Sequence, residues 1–150
     1  MERRALRLLR AASAHIRQAR EEEALLQAIC KTAVAEGGYR MAWVGRPLED
    51  ADHTIEPVAW AGVEQQYTRM GRFTWAEDAH GCGPAGATIR SGQPTVVQDV
   101  ARDPRFAPWR SEALARGYRS VAGFPLRHEG QILGVLLINA GDEGAFEAQY

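Results

Sequence analysis

Apolar and polar positions alternate between helical and strand periods along the chain. Over residues 2–36 the spacing is helical: Leu6, Leu9, Ser13 and Ile16 form one narrow stripe, and Leu25, Leu26, Ile29, Cys30, Ala33 and Val34 form a broader one. The stripes fall out of phase around Ala19–Glu23, which predicts a kink there or a break into two helices. Arg3, Arg4, Arg7 and Arg10 sit off the first stripe. A seam that narrow suits a partner helix better than a globular core. Gly37–Gly38 should end the helix, with Gly37 in the left-handed cap conformation.

Beyond Gly38 the pattern turns to strands. Tyr39 to Val44 and Ile55 to Val63 read as an antiparallel pair joined by the polar stretch 46–54. Pro57 places its strand at a sheet edge or at a bulge, because proline gives no ladder hydrogen bond. A short helix should open at Pro84 and close at Gly92. Thr95 to Val100 is a strand, Asp103-Pro104 starts an Asx-type turn, and Pro108 opens a helix that closes at Gly117. The clearest element is a hairpin: Ser120 to Arg127, a turn at His128-Glu129-Gly130, then Gln131 to Asn139. Ala145 to Tyr150 begins like a further helix.

Composition narrows the function classes. The 150 residues are 45% hydrophobic and 25% charged, enough to bury one domain's core without staples. Eighteen basic and 19 acidic residues give a net charge of −1, which argues against the basic field of a nucleic-acid binder. Lys31 is the one lysine. No apolar run approaches the ~20 residues of a membrane span, and no export signal core is present. Cys30 and Cys82 are far apart without a CxxC, which fits a reducing cytoplasm.

Candidate chemistry is sparse. Gly81-Cys82-Gly83-Pro84-Ala85-Gly86 matches GxGxxG in letters, but no buried parallel strand precedes it and Pro84 removes an amide from the phosphate cradle. His15, His53, His80 and His128 are scattered, so no metal site is expected. Cys30 falls on an apolar helix face and reads as packing. Cys82 precedes a helix N-terminus, a position that can activate a thiol. Trp43, Trp60, Trp75 and Trp109 either pack the core or help to line an apolar small-molecule pocket. Thr88, Asp99, Tyr118 and Ser120 are the polar groups available to such a pocket.

These segments together resemble one family. Leu25–Cys30 runs into Gly37-Gly38-Tyr39-Arg40-Met41-Ala42-Trp43-Val44-Gly45, then Pro57–Gly62. Gly83–Gly86 is followed by Ile89–Pro94, Gln98–Val100 and Asp103–Trp109, and Gly117–Ser120 leads to Phe124–Leu126 and Gly130–Leu136. Over about 24–150 this resembles a bacterial GAF domain of the kind found beside PAS, GGDEF, EAL and histidine-kinase modules. The resemblance implies an α+β, profilin/PAS-like fold with a central antiparallel sheet of five or six strands. Terminal helices would pack on one face, with short helices and loops over a pocket on the other. It divides the chain into a signalling helix at 1–23 and the domain proper at 24–150.

The implied function is a non-catalytic sensory or regulatory domain of a cytoplasmic signalling protein, dimeric through its terminal helices and relaying to a downstream output domain. It would bind an unidentified small ligand, with Trp60, Trp75, Ile89, Asp99, Trp109, Tyr118 and Ser120 lining the pocket and no cofactor. The specialised branches fit less well. The cyclic-nucleotide constellation needs a pocket lysine, and bilin attachment uses a Cys followed by His where Gly83 follows Cys82. Methionine sulfoxide reductases of this fold use three pocket cysteines, and haem would need an axial His, for which His80 is the nearest candidate. The remaining alternatives are a ligand-free dimerisation relay and a thiol enzyme.

Overall fold

The computed structural model describes residues 20–62 and 73–146. The stripe at Leu6–Ile16, the stretch around Tyr67 and the segment after Phe146 lie outside the described residues. Helix α1 covers 20–35 without a break. The left-handed residue that follows is Gly38, at φ 72°, rather than Gly37. A Cβ on Gly37 would stand 2.5 Å from the Ala33 carbonyl, so its smallness serves close packing instead.

Strands β1 (Met41–Pro47), β2 (Ile55–Gly62), β3 (Thr95–Val97), β4 (Ser120–His128) and β5 (Gln131–Ala140) form one antiparallel sheet in the order β2-β1-β5-β4-β3. Pro57 meets both conditions set for it. It sits on edge strand β2, and the register slips opposite it between Val44 and Gly45. The free rim of β2 is partly capped by α1: Gln27 Nε2 donates to the Trp60 carbonyl at 2.5 Å, and Gln27 Oε1 accepts from the Trp60 amide at 3.3 Å. That bracket fixes α1 to the edge and blunts it against pairing with another strand.

Strand alternation divides the buried side chains into two cores. On one face Ala42, Val44, Ala59, Ala122, Ile138 and Ala140 pack with Cys30 of α1 and with Phe146. Leu26, Ala33 and Val34 complete that layer, whereas Leu25 is 61% exposed and drops out of the expected stripe. On the other face Met41, Trp43, Val121, Val135 and Leu137 pack beneath the cover made by 73–118.

That cover contains helix α2 (Pro84–Ser91), a 3-10 turn (Pro104–Trp109) and helix α3 (Arg110–Ala115). Helix α2 ends as expected, with Gly92 left-handed and its amide on the Thr88 carbonyl at 2.8 Å. Asp103 caps the 3-10 turn by accepting from the Arg105 amide. Pro108 falls inside that turn instead of opening the next helix, and β3 stops at Val97, three residues short of the expected Val100. There the chain leaves the ladder because Asp99 starts a turn, taking the Ala101 amide on Oδ1 at 3.0 Å.

Candidate functional site

The cover is held at a defined height above the sheet. Residues 73–75 run beside the start of β2, with the Ile55 amide on the Phe73 carbonyl at 2.9 Å and the Trp75 amide on the His53 carbonyl at 3.0 Å. Asp78 accepts from the Thr74 hydroxyl and the Gly81 amide. Arg90, in the last turn of α2, donates to the carbonyls of Trp75, Ala76 and Gly81 at 3.1, 2.9 and 2.7 Å. One guanidinium thereby ties the 75–81 loop to α2.

The three glycines of the GxGxxG-like run serve this packing. A Cβ would lie 1.7 Å from the Ala76 carbonyl oxygen at Gly81, 2.3 Å from the Trp109 ring at Gly83, and 2.4 Å from the Gly81 carbonyl oxygen at Gly86. On the sheet side Gly123 admits α2 to close contact, with the Thr88 hydroxyl on its carbonyl at 3.4 Å.

Between the cover and the sheet lies a small chamber. Its walls are Trp43, Val121, Leu137 and Asn139 from the strands, Pro84 and Ala85 from the start of α2, and Phe73, Phe106 and Trp109 from the cover. The aromatic rings are mutually packed: Phe73 stacks on Trp109 at 5.2 Å, tilts against Trp43 at 4.8 Å, and Phe106 tilts against Trp109 at 5.3 Å. The free cavity is about 10 Å³, the scale of one water. Asn139 is its polar member. It is 1% exposed, its Nδ2 reaches only the Met41 sulfur at 3.5 Å, and its Oδ1 has no hydrogen-bond partner.

Of the seven residues expected to line a pocket, Trp109 lies in this wall. Trp75 and Ile89 instead share an open groove of about 360 Å³ with Pro47, Glu49, Ile132 and Leu133, and the Trp75 indole donates to the Leu48 carbonyl. Trp60 is half-buried beside the same core on the edge strand. Tyr118 is fully buried in that core. Asp99 builds its turn and stands 3.7 Å from Arg102. Ser120 has the parity of Ala122, on the α1 face, and donates to the Asp142 carbonyl at 2.6 Å. Phe73, Phe106 and Asn139 were not singled out from the sequence. Asn139 had a usable signal, since it is a polar residue at the inward parity of the apolar strand Ile132–Ala140.

The thiols do not converge. Cys82 is exposed and Cys30 is buried under α1 on the opposite face, where burial pushes its thiol up to about 11. Among the described residues no group of three or more His, Cys, Asp or Glu is placed to hold a metal, and no helix is long and apolar enough to cross a membrane.

A five-stranded antiparallel sheet with a helix on one face and a short-helix cover on the other is the GAF architecture, and the GAF domain profile matches residues 19–150. The chain belongs to the GAF domain family. GAF domains are generally regulatory. Solved GAF-like structures agree in fold. A GAF domain region of a putative membrane protein from Geobacter sulfurreducens superposes with a TM-score of 0.71 at 14% identity, over 89% of this chain and 85% of that one. A nitrate-site mutant of NreA from Staphylococcus aureus gives 0.61 at 22% identity, over 87% and 89%. A type II free methionine-R-sulfoxide reductase from Thermoplasma acidophilum gives 0.64 at 16% identity, over 85% and 79%. No curated protein matches the chain.

Proposed function

We propose that this GAF domain is a non-catalytic sensor of a bacterial cytoplasmic signal-transduction protein, such as a diguanylate cyclase, a phosphodiesterase or a histidine kinase. It binds a small ligand in the chamber and relays occupancy through helical dimer contacts to an output domain. The observation that carries this reading is the division of the sheet. A chamber with a buried, half-satisfied amide lies on one face, and α1 is bolted to the other face and to edge strand β2 through Gln27.

A signal needs to cross only one sheet thickness. Trp43 and Leu137 line the chamber, while their strand neighbours Val44, Leu136 and Ile138 face the helix layer. Occupancy acts only in so far as the ligand prefers one packing of that layer over another. The exposure of Leu25 (61%) and Leu133 (45%) leaves apolar surface on and near α1 for a second copy. NreA, whose structure carries a nitrate binding site, is a neighbour of this fold, and a compact ligand is what a small chamber calls for.

The small cavity also favours a second reading, in which the domain's own rings fill the chamber and it serves as a ligand-free dimerisation relay. A thiol-reductase role has less support, because Cys30 and Cys82 lie on opposite sides of the sheet. A thermal-shift screen of metabolites separates the two main readings. A ligand at 100 times its dissociation constant should stabilise the domain by about 2.7 kcal/mol. A response to no compound, with a dimer still seen by sedimentation, supports the relay.

A further inference from the structure

A second opening lies beside the cover and shares no lining residue with the chamber. It is the open groove of about 360 Å³ between Pro47 at the end of β1, Trp75 and Ile89 of the cover, and Ile132 and Leu133 near the start of β5. That volume falls within the range of about 300–1,000 Å³ usual for small-molecule clefts. These five apolar side chains all remain partly exposed. The remaining wall is Glu49, which is exposed and, among the described residues, has no hydrogen-bond or ion-pair partner. Asp50, its neighbour in the β1–β2 loop, spends its carboxyl on the Thr54 amide at 2.8 Å. The Trp75 indole is already fixed in place. Its N–H donates to the Leu48 carbonyl at 2.8 Å, and the His53 ring meets it edge-on at a centroid separation of 4.3 Å. The neighbouring cations are engaged elsewhere: Arg90 holds three carbonyls of the 75–81 loop, and Arg46 lines a separate groove with Glu22 and Leu26 of α1.

We propose that this groove is a second binding site, for a small organic cation with an apolar body, such as an arylalkyl ammonium compound. The body would displace water from Pro47, Ile89, Ile132 and Leu133. The Trp75 ring would attract the ammonium group, and Glu49 would supply the counter-charge at the rim. A carboxylate or phosphate ligand would instead meet Glu49 as a like charge, with no cationic side chain in the lining to offset it. A neutral ligand of the same shape would gain the apolar contacts alone. The site goes beyond the sensing role proposed for the chamber and stands without it.

The test is a titration of the ¹⁵N-labelled chain at neutral pH and low salt, following the Trp75 indole N–H and the Glu49, Ile89 and Ile132 amides. The probes are 2-phenylethylammonium, 2-phenylethanol and phenylacetate, which keep the aromatic body and change the charge. The ammonium probe should bind about threefold to thirtyfold more tightly than the alcohol, and the carboxylate most weakly. Glu49→Gln should weaken the ammonium probe by about twofold to fivefold and leave the alcohol unchanged, and about 1 M salt should narrow the same gap. The Trp43 and Trp109 indole signals report on the chamber and should stay in place. Equal binding of the ammonium and alcohol probes, tighter binding of phenylacetate, or a cation preference untouched by Glu49→Gln would each overturn the assignment. Shifts confined to Trp43 and Trp109, or no shift with any probe, would overturn it too. Groove signals that move with protein concentration alone would give the surface to a contact between copies instead.

Discussion

Single residues set the height of the cover. Trp109 lies so close to Gly83 that a methyl group there would fall 2.3 Å from its ring. Gly83→Ala should therefore cost about 1–3 kcal/mol through overpacking and disturb tryptophan emission, with chemical denaturation as the measurement. Asp103 works at the rim, accepting from the Arg105 amide and from the Arg105 guanidinium at 2.6 and 3.0 Å. The Arg105 hydrogen bond is the main cause that holds its carboxyl below the ordinary 3.8. A depressed pKa contributes stability that is present above the ordinary value and is lost as pH falls through the depressed one. Asp103→Asn retains a capping acceptor but loses the ion pair. It should cost about 0.2–1 kcal/mol at neutral pH, near the lower end because Arg105 is 45% exposed, and the difference should vanish in acid well below 3.8. A deficit that persists unchanged in acid would assign the effect to cap geometry instead of charge.

At the scale of elements, local chemistry was legible wherever one residue type had one use. Pro84 and Gly92 bounded α2, Pro57 marked the edge and the bulge, and Gly130 marked the hairpin. The hairpin turn resolves to Glu129 and Gly130, both at positive φ (51° and 80°), with His128 in the strand. This two-residue turn favours Asn-Gly. Glu129→Asn should raise stability by a few tenths of a kcal/mol and Gly130→Ala should lower it by about 1 kcal/mol, both read from thermal melts. The site was less legible because lining is a matter of parity and of what folds over the sheet. Ser120 and Val121 are adjacent, yet only Val121 faces the chamber. Asp99 and Asp103 share a composition cue for turns, and both build them, so Asp99 is no more free than Asp103. Phe73 reaches Trp43 through pairing of residues 73–75 with the start of β2, a long-range contact that no local period announces.

The whole molecule is a sheet with two unlike faces, and a sensing role depends on what lies beneath the cover. A second face given to α1, pinned through Gln27 and the Cys30 layer, leaves the chamber as the place where chemistry enters. The most direct test is a high-resolution crystal structure of the domain grown with and without the best-binding compound of the screen. A sensing chamber should hold a compact molecule between Trp43, Trp109 and Asn139, with the Asn139 side chain hydrogen-bonded and α1 shifted relative to the empty form. Rings of Phe73, Phe106 and Trp109 collapsed onto Val121 and Leu137, leaving no density and an unmoved α1 in both crystals, would contradict it.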